Sequence, residues 1–338
     1  MTYPSSILIT GASGFLGGHL TRMLIERGVR PRVLMRSDRR TVEFPLSQVE
    51  LYTGDLRDAN AIAKSVAGVD VVYHCAALVK SSGRKEDFFA INVQGTENLL
   101  NAAYQSGVKR FVHVSSVAVY GPGQKTIIRE DEEYDPSPQQ RGYYTWSKIE
   151  ADRLAVRFSR EHNFPVTVLR PGIIYGPGAK PFFARLHHNL RGKVQFIIGA
   201  PNALLPLVFV ESVAEAIIRA GQQTDSAFHM YNIVDGAILQ EDLLQRHCEA
   251  TGRKTRTLYL SPALVSLGAR ALEVLYSLLG KGSPSLSRYR IRRACQSLAH
   301  DTTKARKELG WSPTISLPQG LGQTWERWRQ QGQPQPQS

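Results

Sequence analysis

Tyr144 and Lys148 stand four residues apart in Tyr144-Thr145-Trp146-Ser147-Lys148. That spacing puts both side chains on one face of a helix. A free tyrosine has a pKa of about 10, too high for a useful base at neutral pH. A neighbouring ammonium favours the phenolate and lowers that value. Tyr144 could then exchange a proton with a substrate oxygen while a nicotinamide exchanges a hydride. Upstream, Val114-Ser115-Ser116 closes an apolar run. There the Ser116 hydroxyl is expected to bond the same oxygen, and Ser115 is given a turn or cap role. Asn92, near the start of a predicted helix, either caps that helix or positions Lys148 through water.

A second constellation, Thr10-Gly11-Ala12-Ser13-Gly14-Phe15-Leu16-Gly17, follows the apolar run Ile7-Leu8-Ile9. Three glycines there permit a tight turn, close approach of the backbone to a pyrophosphate, and close helix–sheet packing. The pyrophosphate would sit at a helix N-terminus, where free N–H groups and the dipole favour negative charge. The cradle is expected to comprise Gly11, Ser13, Gly14, Phe15, Leu16 and Gly17. About twenty residues on, an acid would bind the free ribose 2′-hydroxyl of NAD, whereas Arg accepts the 2′-phosphate of NADP. Arg36 follows Val33-Leu34-Met35, with Asp38, Arg39 and Arg40 close behind. Arg36 favours NADP(H) over NAD(H), and Asp38 keeps NAD(H) in play. Gly54-Asp55-Leu56 offers a carboxylate to the adenine amino group or a helix N-cap. Cys75-Ala76-Ala77 offers small residues against which a cofactor can lie.

These groups need a frame. Ile7–Ile9, Arg32–Met35, Val49–Tyr52, Val69–Tyr73, Phe111–Val114 and Val166–Leu169 have the β-branched, apolar character of strands. His19–Arg27, Ala59–Ala67, Gly95–Ser106 and Ser147–His162 lie between them as helices. The alternation predicts an α/β fold, a doubly wound parallel sheet with both faces covered. Residues 1–176 form the dinucleotide-binding domain, and 177–329 are mostly a smaller substrate lobe. Residues 208–220 return to the first domain, and 330–338, rich in Gln and Pro, form a disordered tail.

Composition narrows the classes. Three cysteines lie far apart without a C-x-x-C pair, which argues against a disulfide framework or a metal site. No basic segment precedes an apolar one at the N-terminus, and no apolar run is long enough to span a bilayer. A cytoplasmic protein is expected, or one peripheral to a membrane. The formal net charge is +13, but the basic residues are not interleaved with aromatics, so nucleic acid is not the expected partner. The surplus is densest from Arg253 to Lys307.

In this order and spacing, Thr10–Gly17, Gly54-Asp55-Leu56, Ala76-Ala77, Asn92, Ser116 and Tyr144/Lys148 resemble the extended short-chain dehydrogenases/reductases. So do Leu169-Arg170-Pro171-Gly172, Tyr175-Gly176-Pro177-Gly178 and the closing Leu309-Gly310-Trp311-Ser312-Pro313. The resemblance runs from residue 5 to about 325. It implies a Rossmann fold, with Ser116 and Tyr144 at the substrate oxygen. It also implies Lys148 on both Tyr144 and the nicotinamide ribose, Pro171 and Gly172 beside the nicotinamide, and a homodimer through helices around 96–106 and 147–162. Nucleotide-sugar epimerases and dehydratases, which retain NAD, form one branch. The branch resembling 3β-hydroxysteroid dehydrogenases is favoured here, from Arg36, Gly83–Phe89, Ser287-Arg288-Tyr289-Arg290 and Arg292-Arg293. The expected substrate is apolar, sterol-like or long-acyl. A non-catalytic NAD(P)-binding module is the alternative outside the enzymes.

Between Leu264 and Leu279, the polar residues Ser266, Arg270, Glu273 and Ser277 make one narrow stripe on an otherwise apolar helix. A helix packed on the core is the first expectation for 264–279. A lid over an apolar pocket and a peripheral membrane contact are the others.

Overall fold

The computed structural model describes residues 4, 6–36, 42–80, 83–121, 127–180, 182, 186, 190–191, 194–198, 203–252, 256–278, 288, 291, 295 and 299–330. Asp38, Arg39, Arg40, Ser287, Tyr289, Arg290, Arg292, Arg293 and the segment 331–338 lie outside them.

Seven parallel strands make the central sheet: β1 (Ile7–Thr10), β2 (Arg32–Met35), β3 (Glu50–Thr53), β4 (Val71–His74), β5 (Arg110–Val114), β7 (Val166–Pro171) and β12 (His229–Ile233). Their spatial order is β3-β2-β1-β4-β5-β7-β12. Every residue of β1, β4, β5 and β7 is buried, as an apolar run covered on both faces requires. Helices α1 (Phe15–Glu26) and α6 (Val210–Gly221) cover one face, closing a core that reaches Leu309 and Trp311. Helices α2 (Ala59–Val66), α4 (Gly95–Gln105) and α5 (Tyr143–His162) cover the other.

Strand order reverses between β1 and β4, whose last paired residues are Thr10 and His74. In an open parallel sheet the loops leaving two such strands diverge and open a crevice at the carboxyl ends. The phosphate loop and Cys75–Ala77 leave from that point.

The second lobe has its own core of Tyr175, Phe182, Leu207, Phe209, Leu243, Trp325 and Trp328. A three-stranded sheet of β8 (Ile173–Tyr175), β11 (Leu204–Phe209) and β13 (Gly236–Leu239) supports it, with α7 (Gln240–Thr251) and α10 (Leu317–Gln330). A further sheet joins β9 (Leu190–Arg191), β10 (Val194–Ile198) and β14 (Arg256–Leu260), ahead of α8 (Pro262–Leu278). The short strands β6 (Ile127–Ile128) and β15 (Ala299–His300) pair near α9 (Thr303–Glu308).

Val208 and the apolar face of α6 lie in the main core, where residues 208–220 were expected to return. Val208 and Phe209 pair with β8 in the second sheet, and the chain rejoins the main core through α6, β12 and residues 305–311. Helix α5 begins four residues before Ser147, because Gly142 at φ +109° turns the chain sharply into it. Tyr144 therefore sits in its first turn.

Candidate active site

Gly11 takes φ +77°, and a Cβ there would lie 2.7 Å from the amide nitrogen of Ala76. Only glycine lets the two diverging loops come this close. A Cβ on Gly17 would lie 2.2 Å from the Gly11 carbonyl oxygen, so helix α1 can pack against the loop only without one. Between these loops opens a cavity of about 180 Å³. It is lined by Gly11, Ser13, Gly14, Arg36, Asp55, Leu56, Ala76 and Ala77, together with Thr10, Leu34, Met35, Gly54, Cys75, Leu78 and Ile91. Small residues, a helix N-terminus and an arginine suit a dinucleotide.

Phe15, Leu16, Gly17, Tyr144, Lys148, Pro171 and Gly172, also expected at the cofactor, do not line this cavity. Phe15 packs edge-on against His19 and into the second lobe's core, and Leu16 packs on the main core. They can serve an anion only through first-turn backbone N–H groups, which have no partner within the helix. Pro171 and Gly172 end β7 outside the cavity lining, with the Gly172 N–H bonded to the Ile233 carbonyl at 3.0 Å. Asp55 is not the cap of α2, since Asp58 accepts from the N–H groups of Asn60 and Ala61. Instead Asp55 accepts from Arg57 Nε at 2.7 Å and Nη2 at 3.1 Å, which holds its carboxyl below the usual carboxylate range.

At the catalytic end, Lys148 Nζ donates to the Val114 carbonyl at 2.6 Å, two residues before Ser116. Burial pushes this ammonium down to about 8, against the pull of Asp152. The Ser116 Oγ accepts from the Ala118 N–H at 3.1 Å, which uses a lone pair and leaves its own proton to donate. Arg141, just before α5, donates to the carbonyls of Ala118 and Tyr120, tying the start of the helix to the segment after Ser116. Tyr144 departs from expectation. Burial pushes its phenol up to about 12, and the opposing cation is Arg141 rather than Lys148.

Asn92 lies in a π-helical turn, Ala90–Gln94, between α3 (Lys85–Phe89) and α4. Such turns are common at functional sites, because the extra residue re-aims a side chain. The Asn92 amide accepts from Leu78 N–H at 2.6 Å and donates to Leu78 O at 3.2 Å and Ser147 Oγ at 2.9 Å. It thereby links the cofactor loop to the catalytic helix. It caps no helix, and its backbone carbonyl accepts from Thr96 Oγ1 at 2.7 Å.

Two buried networks escaped the linear pattern. His74 has Nδ1 2.7 Å from Thr10 Oγ1 and Nε2 2.9 Å from Thr96 Oγ1. Thr96 spends its proton on the Asn92 carbonyl, so His74 must donate from Nε2 and accept at Nδ1. Burial pushes His74 down to about 3, which suits that neutral ring. The second network centres on Asp152, one turn beyond Lys148. It accepts from Arg170 Nε and Nη2, Ser115 Oγ and Tyr134 Oη at 2.5–3.0 Å. Ser115 is thus an anchor rather than a turn or cap residue. A hydroxyl-rich pattern around Ser115 was visible, but nothing local paired it with Asp152.

Aromatic rings pack between α3 and the start of α5. Phe89 meets Trp146 edge-on at 5.2 Å, Phe88 lies 6.4 Å from Tyr143, and the Lys85 ammonium sits 4.2 Å from the Trp146 ring. Among the described residues no group of His, Cys, Asp and Glu could hold a metal ion.

The family model described as NAD dependent epimerase/dehydratase family matches residues 7–234. The chain is 28% identical to a 3-beta-hydroxysteroid dehydrogenase of Mycolicibacterium neoaurum, over 94% of this chain and 89% of that protein. It is 28% identical to human sterol-4-alpha-carboxylate 3-dehydrogenase, decarboxylating, over 95% and 87% respectively. The solved structure of MoeE5 in complex with UDP-glucose and NAD superposes with a TM-score of 0.72 at 27% identity, covering 96% of this chain and 99% of that one.

Proposed function

The chain belongs to the NAD dependent epimerase/dehydratase family and is an oxidoreductase of the extended short-chain type. From that premise we propose that it interconverts a secondary alcohol and a ketone on an apolar, sterol-like or long-acyl substrate. The observation that carries the substrate class is the aromatic cluster at the start of α5, the helix that bears Tyr144, where Tyr143 is 41% exposed and Phe89 and Trp146 pack edge to face. Flat apolar rings bury well against such faces. The two sterol-dehydrogenase relatives point the same way.

In this reading the Tyr144 phenol, protonated at neutral pH, donates to the carbonyl oxygen during reduction and recovers the proton during oxidation. Ser116 donates a hydrogen bond to the same oxygen as negative charge grows on it. Lys148 keeps two of its three N–H donors after bonding Val114, enough for the phenol and a ribose hydroxyl. A bound nicotinamide would supply or accept the hydride.

Arg36 in the cavity lining supports NADP(H) over NAD(H). The reading includes a homodimer through the outer faces of α4 and α5, where Tyr104 is 45% exposed.

Fluorescence titration of the nucleotide-free protein with NADPH and NADH, followed by a screen of apolar ketones and alcohols, tests it. Exchangeable cofactor, tighter NADPH binding and turnover of an apolar ketone are expected, and Arg36→Glu should weaken NADPH more than NADH. Retained NAD with turnover of a nucleotide sugar would overturn the proposal in favour of an epimerase.

A further inference from the structure

Helix α8 turns its apolar residues outward. Leu264, Leu267, Val274, Leu275 and Leu278 are 72%, 68%, 54%, 49% and 80% exposed. The inward face is Val265, Ala269, Leu272 and Tyr276, at i, i+4, i+7 and i+11, of which Ala269 is fully buried. A helix packed on the core, the first expectation, is therefore only half the description. One apolar face meets the protein and the opposite one meets solvent. Leu258 and Tyr259 on β14, just before α8, are also exposed, at 38% and 47%.

Charge indicates what covers this face. Residues 253–293, which run from before β14 to past α8, carry nine lysines and arginines against one acidic residue, Glu273. The acid on α8, Glu273, is taken up by Arg288, whose Nε lies 2.8 Å from Oε2 and whose backbone N–H bonds Oε1 at 2.9 Å. Arg270 on α8 is exposed. A second copy of the same chain would bring an equal positive charge against this one and be repelled. An anionic bilayer surface satisfies both features, burying leucines at the acyl boundary and attracting the basic flank. Among the described residues no helix is long and apolar enough to cross a membrane, so the contact would lie in the interface plane.

We propose that α8 docks the protein on an anionic lipid surface through Leu264, Leu267, Leu275 and Leu278, with Arg270 meeting the headgroups. The proposal stands apart from the substrate reading, because neither α8 nor β14 contributes to the catalytic residues or the cavity lining.

Vesicle flotation of the full chain tests it, using phosphatidylcholine alone and phosphatidylcholine with one third phosphatidylglycerol. Binding to the anionic vesicles only, weakened by salt, is expected. Leu264→Ser/Leu267→Ser/Leu278→Ser should cut partitioning by more than ~10-fold, while cofactor affinity in solution stays unchanged. Arg270→Glu should cut it on the order of thirtyfold without touching the leucines. Wild-type protein that stays unbound, or a triple variant that floats equally well, would overturn the proposal. So would a concentration-dependent dimer, seen by sedimentation velocity, that the triple variant abolishes, which would make a second copy the occupant.

Discussion

Asp152 and Arg170 grip each other through two parallel hydrogen bonds, Nε to Oδ2 at 3.0 Å and Nη2 to Oδ1 at 2.9 Å, with neither side chain more than 2% exposed. This bidentate geometry is the strongest form of side-chain ion pair. It joins α5 one turn past Lys148 to β7 one residue before Pro171. Ser115 Oγ adds the end of β5, one residue before Ser116. One buried ion pair therefore sets the spacing of the three segments that carry the catalytic groups.

Removing one partner leaves the other charge buried and unpaired. Asp152→Ala should destabilise the fold by about 3–5 kcal/mol in urea unfolding, with loss of turnover following loss of fold. Burial would raise the Asp152 carboxyl, but Arg170, Ser115 and Tyr134 hold it below its ordinary 3.8. A depressed carboxyl contributes stability above its unfolded value, and that contribution is lost as pH falls through the folded one. The acid limb of the wild-type stability curve should be steeper than that of Asp152→Asn below pH 3.8.

Tyr144→Phe removes one hydroxyl that has no structural hydrogen bond among those described. Turnover should fall by ~10²–10⁴-fold with the melting temperature nearly unchanged and NADPH affinity retained. Single-turnover kinetics beside a cofactor titration separates the two. A variant that keeps its turnover rules out the phenol as the proton donor.

Lys148 is a buried amine pushed down to about 8 from 10.5. Between those values the unfolded chain binds a proton that the native protein has lost, so stability should rise with pH across that window. Lys148→Met should flatten the rise and match or exceed the wild type in stability near neutral pH, while losing turnover. Chemical denaturation at several alkaline pH values reads the slope.

Asp235 shows the opposite behaviour. Its Oδ2 accepts from the Phe209 N–H at 2.6 Å and Ser212 Oγ at 3.2 Å, while Oδ1 is buried without a partner. Burial raises it to about 6. A raised carboxyl stabilises the native state below its unfolded pKa and loses that contribution as pH rises through the folded one. Thermal melts should therefore show stability falling from pH 3.8 to 6, and Asp235→Asn should lack that fall.

The phosphate loop was legible because its requirements are local. A left-handed turn at Gly11 and a close approach at Gly17 can be met only by residues without a Cβ, wherever the rest of the chain goes. The strand runs were legible for a related reason, since a parallel strand buried on both faces must be mostly apolar. Tyr144 and Lys148 needed only the helical repeat to share a face.

Other features came from packing between distant segments. Asp152 and Arg170 lie on different elements, and no periodicity pairs them. His74 ends an apolar strand and shows its role only when β1, β4 and the turn at Asn92 bring Thr10 and Thr96 to its two nitrogens. The π turn at Asn92 cost the capping expectation, because one extra residue in a helix leaves no mark on the hydrophobic pattern. Helix α8 is the clearest division. Its sequence established one polar stripe on an otherwise apolar helix, but which apolar residues would meet the protein depended on the surfaces available once the second lobe had closed. Local rules settle backbone conformation and periodicity, whereas burial is a property of two surfaces and is decided only when both have been placed.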